Sequence, residues 1–219
     1  MHPETPAPEP GPLVVGHRGF AAAFPDNSLA GVRAAVAAGA DGVEVDVRPC
    51  RGGTWVCHHD RSRGGRPLAE WELGALRRAG VPAFAEAAAA VPGDRWLYVE
   101  VKPLGAAELR GGLPALAAPL AGRLARTRVI SSSERVLAAV SEALPGVALS
   151  LVFDAIPDPL PAALELSPLH RLVEALAGCG RPLHPWTVDA PARLRALAAL
   201  GVASITTNDP ALALEVLRG

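Results

Sequence analysis

The sequence predicts an α/β protein, a (β/α)8 TIM barrel with a short elaboration between its second and third strands. Three observations predict it. Eight short apolar or β-branched runs alternate with alanine-rich segments of helical period. Half of the 219 residues are hydrophobic while aromatics make up only 4%, which suits small helices packed closely on a sheet. The length is one that α/β barrels use for a single core. Strands separated by helices imply parallel pairing, because a parallel crossover needs a dozen or more residues. An open doubly wound sheet is the structural alternative, but the GxGxxG turn expected after its first strand is absent.

Residues 1–12, MHPETPAPEPGP, read as a mobile proline-rich tail, with neither the basic nor the apolar region of a signal peptide. Residues 13–219 are expected to form one barrel domain. The strand candidates are LVVGH (13–17), GVEVDV (42–47), WLYVEV (96–101), TRVIS (127–131), ALSLVF (148–153), AALEL (162–166), PLHPWTV (182–188) and ASITT (203–207). In the first helix candidate, NSLAGVRAAVAAG, Leu29, Val32 and Val36 share a face, Asp26, Asn27 or Ser28 supplies the N-cap, and Gly39 suits the C-terminal glycine position. Further helices are expected over 132–144, 167–180, 190–201 and 209–219, and over 114–126 despite an internal proline. The segment DAIPDPLP after the fifth strand is too proline-rich for a regular helix. Between the second and third strands, TWVCHHD supplies an extra short strand, followed by a glycine-rich loop and two helical pieces.

Several function classes are excluded by composition. A formal net charge of −1 with scattered Lys and Arg offers no basic stripe for nucleic acid. No run reaches the roughly 18 uninterrupted apolar residues that a membrane span needs. Cys50, Cys57 and Cys179 have no metal-ligand or CxxC spacing, which fits a reducing, cytoplasmic compartment.

Strand alternation carries the chemistry. In GVEVDVR, Glu44 and Asp46 point one way and Val43, Val45 and Val47 the other; in LYVEVK, Glu100 and Lys102 share a face. Three carboxylates therefore converge on the barrel axis. Two of them about 4 Å apart repel by about 4 kcal/mol at an effective dielectric of about 20. Such an all-oxygen set suits Mg²⁺ or Ca²⁺ better than zinc. The competing reading is an internal salt-bridge network of the three with Lys102 and Arg18.

His17 falls at the C-terminal end of the first strand, where barrel active sites are built, and His59 in VCHHD is positioned to fold over the same mouth. Two imidazoles flanking a metal offer a general acid and a general base. Arg18 and Lys102 beside a dication make a phosphate pocket. Trp186, at the mouth end of the seventh strand, serves either as an apolar wall for an alcohol or as packing, whereas Trp55, Trp71 and Trp96 read as packing residues. His2, His170 and His184 receive no role, and His58 is left ambiguous by its neighbour.

With these residues assembled, the sequence resembles the glycerophosphodiester phosphodiesterase family from Leu13 to about Pro210. The parts run in order: GHRG, FPDNSLAG, DGVEVDV, VCHHD, VEVK, PWTVD and GVASITTNDP. The resemblance implies a (β/α)8 barrel that hydrolyses glycerophosphodiesters to sn-glycerol 3-phosphate and an alcohol. It implies catalytic His17 and His59, a divalent cation on Glu44, Asp46 and Glu100, phosphate binding by Arg18 and Lys102, and Trp186 near the substrate. Asp26 to Ser28 replace the family's Glu-Asn-Thr, a change that should still cap the helix. The chain after His59 is basic, glycine-rich and short, where the family carries leucine, arginine and two threonines. That departure bears on the leaving alcohol rather than on the reaction. A lysophospholipase D or sphingomyelinase D-like phosphodiesterase, and a non-catalytic phosphodiester-binding barrel, remain as alternatives. The preferred alcohol, the native metal, the nucleophile, which histidine is the acid and the oligomeric state are left open.

Overall fold

A computed structural model describes residues 11–219. The tail expected over 1–12 lies outside the described residues except for its last two. In chain order the elements are β1 (Leu13–Gly16), α1 (Leu29–Ala37), β2 (Gly42–Pro49), β3 (Trp55–Cys57), β4 (Ser62–Arg63), β5 (Arg66–Pro67), α2 (Leu73–Arg78), α3 (Phe84–Ala90), β6 (Trp96–Val101), α4 (Ala106–Ala117), β7 (Thr127–Ser131), α5 (Glu134–Ala143), β8 (Ala148–Phe153), β9 (Glu165–Pro168), α6 (Val173–Leu176), α7 (Pro191–Ala199), β10 (Ser204–Thr207) and α8 (Pro210–Arg218).

Seven strands pair in parallel in the order β10-β1-β2-β6-β7-β8-β9 and curl into a barrel ringed by helices. Residues 182–188, expected as the seventh barrel strand, are not a regular strand. They bridge the two edges instead. The His184 N–H donates to Leu166 O at 2.7 Å on the β9 side, while the Ala203 N–H donates to Leu183 O at 2.9 Å and the Thr206 N–H to Pro185 O at 3.0 Å on the β10 side. Pro182 and Pro185 have no N–H, so a continuous ladder cannot form there.

Other expectations shift for similarly local reasons. The sixth barrel strand falls at Glu165–Pro168, three residues later than AALEL. The helix expected over 167–180 shrinks to Val173–Leu176, since its first residues belong to β9 and Gly178 and Gly180 adopt positive φ of 81° and 72°. The helix expected from residue 114 begins at Ala106 and carries Pro114 within it. As expected, no helix joins β8 to β9.

The apolar positions sort as the alternation demands. Val43, Val45 and Val47 are buried in the main core with Leu97, Val99 and Val101. Each such side chain contributes roughly 1.5–3 kcal/mol on burial. On α1, Ser28 Oγ accepts from the Gly31 N–H at 3.1 Å, Val32 is buried, and Gly39 ends the helix at φ 90°. The elaboration has a small core of its own, formed by Cys50, Val56, Leu68, Leu76 and Val81. It stands on β3, which pairs antiparallel with the far end of β2 through Val47 and Cys57 and so carries the chain past the barrel mouth. Trp55 packs against α4, its Nε1 donating to Gly112 O at 2.7 Å. Among the described residues no helix is long and apolar enough to cross a membrane.

Candidate active site

The GHRG turn is shaped by its two glycines. A Cβ on Gly16 would lie 2.3 Å from Gly19 O, and one on Gly19 would lie 2.6 Å from the Gly31 carbonyl carbon. Neither position accepts a side chain: at Gly16 the turn's own Gly19 carbonyl stands in the way, and at Gly19 the backbone at the start of α1 does. Arg18 between them adopts φ 51°, a left-handed conformation uncommon outside glycine, asparagine and aspartate. The turn is held by three bonds: His17 N–H to Thr207 O at 2.7 Å, Gly19 N–H to Glu44 O at 3.2 Å, and Arg18 N–H to Glu44 Oε2 at 2.9 Å.

The acidic residues meet as alternation requires. Glu44 and Asp46 are 2% and 0% exposed, and one oxygen from each of Glu44, Asp46 and Glu100 lies within 4.8 Å of the others. Lys102 Nζ stands 2.7 Å from Asp46 Oδ1 and 2.6 Å from Glu100 Oε1, and Arg18 Nε stands 3.0 Å from Asp46 Oδ2. The guanidinium also pairs with Asp26 at 2.7 Å. The salt-bridge network considered from sequence thus exists for Asp46 and Glu100, but it does not complete the site. Glu44 Oε1 is buried without a hydrogen-bond partner.

Each carboxyl group responds to its surroundings. Burial pushes the Glu44 carboxyl well above its ordinary range, and Asp46 and Glu100 push it further. Burial also opposes the charge of Asp46, yet Lys102 and Arg18 outweigh it and hold that carboxyl below its ordinary value. Glu100 is raised by burial, against the pull of Lys102. A site with one committed carboxylate, two reluctant ones, only oxygen donors and a bare buried oxygen fits a hard divalent cation.

Asn27 is a member of the site that sequence reasoning considered only as a helix cap. Ser28 takes the cap, and Asn27, at φ 59°, instead clasps Asp46: its Nδ2 donates to Asp46 Oδ2 and its Oδ1 accepts from the Asp46 N–H, both at 2.9 Å. The signal in sequence was an asparagine in a turn followed by a better cap.

His17 Nδ1 meets Asn208 Oδ1 at 2.7 Å, and burial lowers the pKa of the imidazole. His59 is more open, 44% exposed, with Nδ1 2.8 Å from Asp60 Oδ1. It stands near enough to Glu100 for its charge to favour that carboxylate. Arg48 pins its backbone, Nε donating to His59 O at 2.7 Å. His58 lines the same cleft as His59, its Nδ1 3.1 Å from Asp60 O and from the Asp60 N–H. Two clefts of about 590 Å³ flank Arg18 and Asp26, one lined by His59, Asp60 and Arg63 and the other by His17, Asp189 and Asn208. Between the barrel walls, a small cavity is lined by His17, Glu44, Glu100 and Trp186, whose Nε1 donates to Ser167 O at 2.8 Å.

Below this layer lies a second polar cluster that the sequence reading did not assign. Arg128 Nε donates to Glu165 Oε2 at 2.7 Å, and another guanidinium nitrogen donates to Tyr98 OH. His184 Nε2 lies 3.2 Å from the same Glu165 oxygen, and its Nδ1 lies 2.8 Å from Ser204 Oγ. The guanidinium stacks between Trp96 and Tyr98 at 4.9 and 4.8 Å.

Known proteins share this arrangement of chain. The profile of the Glycerophosphoryl diester phosphodiesterase family matches residues 17–102, a span that contains His17, Arg18, Glu44, Asp46, His59, Glu100 and Lys102. A probable glycerophosphodiester phosphodiesterase 1 of Mycobacterium tuberculosis is 56% identical over 50 residues, which are 23% of this chain and 18% of that protein. The chain thus matches less than a fifth of that relative's length. A glycerophosphodiester phosphodiesterase of Caldanaerobacter subterraneus subsp. tengcongensis is 27% identical over 94% of this chain and 98% of its own. Among solved structures, a putative glycerophosphoryl diester phosphodiesterase of Silicibacter pomeroyi superposes with TM-score 0.81 at 21% identity, covering 95% of this chain and 94% of that one. An Oleispira antarctica phosphodiesterase in complex with the product sn-glycerol-3-phosphate superposes with TM-score 0.81 at 19% identity, covering 94% and 96%. The structural likeness is one of fold.

Proposed function

We propose, on the premise that this chain belongs to the glycerophosphoryl diester phosphodiesterase family, that residues 13–219 form one catalytic domain hydrolysing glycerophosphodiesters to sn-glycerol 3-phosphate and an alcohol. The observation that carries this reading is the trio Glu44, Asp46 and Glu100 with its bare buried oxygen, two of whose members line one small cavity with His17, while His59 stands near enough to Glu100 to favour its charge. Glu44, Asp46 and Glu100 would hold Mg²⁺ or Ca²⁺, which as a Lewis acid polarises a phosphoryl oxygen. Arg18 and Lys102 bind the remaining phosphate charge, and Asn27 keeps Asp46 in its orientation. His17 and His59 perform the proton transfers, one on the attacking oxygen and the other on the leaving alkoxide. Two separate imidazoles suit an in-line displacement, in which the attacking and leaving oxygens lie on opposite sides of phosphorus. Trp186 walls the cavity beside His17.

Both clefts set charged side chains, Arg18, Asp26, Asp60 and Arg63 in one and Asp189 and Asp209 in the other, beside small apolar ones such as Pro25, Ala30 and Leu212; the charged set is the ground for proposing a water-soluble diester ahead of a lyso-lipid. The cytoplasm is proposed as the compartment, in keeping with three unpaired cysteines. Release of glycerol 3-phosphate from glycerophosphocholine, read through a coupled dehydrogenase in Mg²⁺, Ca²⁺ and EDTA, tests the reading. Metal-dependent release is expected. Turnover of lysophosphatidylcholine alone would move the substrate class to lyso-lipids, and binding without turnover of any diester would leave a phosphodiester-binding barrel.

A further inference from the structure

His17 does not end its hydrogen bonding at Asn208. The Asn208 Nδ2 donates to Asp189 Oδ2 at 2.7 Å, and the Asn208 backbone N–H donates to Asp189 Oδ1 at 2.8 Å. Thr207 Oγ1 donates to that same oxygen at 3.0 Å. An ionised carboxylate only accepts, so the Asn208 amide must turn its NH₂ toward Asp189. Its oxygen is then the atom left facing His17. A carbonyl oxygen likewise only accepts, so the neutral imidazole must carry its proton on Nδ1. Asp189 thus fixes the Asn208 amide, and the amide fixes the His17 ring nitrogen.

We propose that Asp189 and Asn208 are positioning residues that hold His17 as the Nδ1–H tautomer and leave its Nε2 lone pair free to take a proton at the phosphodiester. The inference rests on the phosphodiesterase reading for what His17 does, but not for which nitrogen is bare. It divides the labour of the two histidines. The attacking O–H gives its proton to His17 Nε2 while its electron pair forms the new O–P bond. The P–O bond to the alcohol breaks, and the departing oxygen takes a proton from protonated His59. The count closes when His17 loses its proton to solvent and His59 regains one. His184, in the layer below, shows the opposite assignment: Glu165 requires a donor at its Nε2, so its Nδ1 accepts from Ser204. Two histidines in one barrel, His17 half-buried and His184 buried, are thus held in opposite tautomers by their partners.

The test is ¹⁵N NMR of histidine-labelled protein at about pH 8, where an imidazole of ordinary pKa is neutral, with the His17 signals identified by their loss in His17→Gln. The wild type should show a protonated Nδ1 and a bare Nε2. In Asn208→Ala and Asp189→Ala the two nitrogens should lose that pattern, and kcat should fall by about 10- to 100-fold, with KM and the metal half-saturation within twofold. A wild-type His17 protonated on Nε2 would overturn the proposal without any variant having to fold. So would an unchanged ¹⁵N pattern in the variants, even with activity lost, since that would mean a purely structural role in the Thr207–Asp209 turn. Should the wild type hydrolyse no glycerophosphodiester, the function reading fails while the ¹⁵N pattern still decides the positioning.

Discussion

Two polar layers lie one below the other inside the same barrel, and they differ in what they leave unpaired. The lower layer, Tyr98, Arg128, Glu165, His184 and Ser204, closes on itself. Burial opposes the charge of Glu165, but bonds from His184 and Arg128 hold its carboxyl down at about 2, while burial above all lowers His184 to about 4. The upper layer leaves Glu44 with a bare oxygen and a carboxyl that burial and its neighbours push upward. A satisfied cluster has nothing left to offer a ligand. Buried charge is thus an uncertain guide to function; unpaired buried charge beside an open cleft is a better one.

The sharpest break between the layers is catalytic. His17→Ala and His59→Ala should retain the wild-type circular dichroism spectrum and unfolding midpoint yet lose about 10²- to 10⁴-fold in rate. A variant near wild-type turnover would remove that histidine from the mechanism. Arg128→Met should do the reverse. It strands Glu165 against an apolar side chain and should cost about 2–4 kcal/mol in urea unfolding, with little change in kcat of the folded fraction. Glu44→Gln keeps shape but removes a repelled charge, so stability should hold or rise while the metal half-saturation climbs by about tenfold or more. An unchanged metal titration would detach Glu44 from the metal site.

The smallest expected effect is a difference in slope with pH. Glu165 is depressed from 4.5 to about 2, so its stabilisation is complete above 4.5 and lost as pH falls toward 2. His184 is held neutral from its ordinary 6.5 down to about 4, so the protein loses stability as pH falls from 6.5 to 4 and the unfolded chain takes the proton more readily. Glu44, being raised, acts in the opposite sense and becomes less costly to bury as pH falls. Glu165→Gln should therefore flatten the loss of urea stability between about pH 5 and 3. A parallel curve would mean that the lower layer does not govern acid unfolding.

Alternation alone, read from GVEVDV and LYVEV, sets which side chains share a strand face, because the two-residue period is a local property of an extended backbone. That is why the convergence of Glu44, Asp46, Glu100 and Lys102, the barrel class and most strand bounds were legible. The helix over 167–180 was not, since its apolar period was real but β9 and two glycines of positive φ claimed its ends. The seventh strand failed for the same kind of reason: its apolar pattern was right, while Pro182 and Pro185 removed the donors that a ladder requires.

What the sequence by itself determined about this protein is therefore whatever depends on neighbours along the chain: the alternating elements, the acidic faces of two strands, the glycines of GHRG and the cap at Ser28. Tertiary structure alone decided the pairings made across it. Asn27 reaches Asp46 over 19 residues, Arg128 reaches Glu165 over 37, and His17 reaches Asn208 over 191. The last of these exists because β10 lies beside β1. No local period encodes such a pair, since the partner is chosen by the closing of the barrel and by the need of each buried donor and acceptor to find a complement.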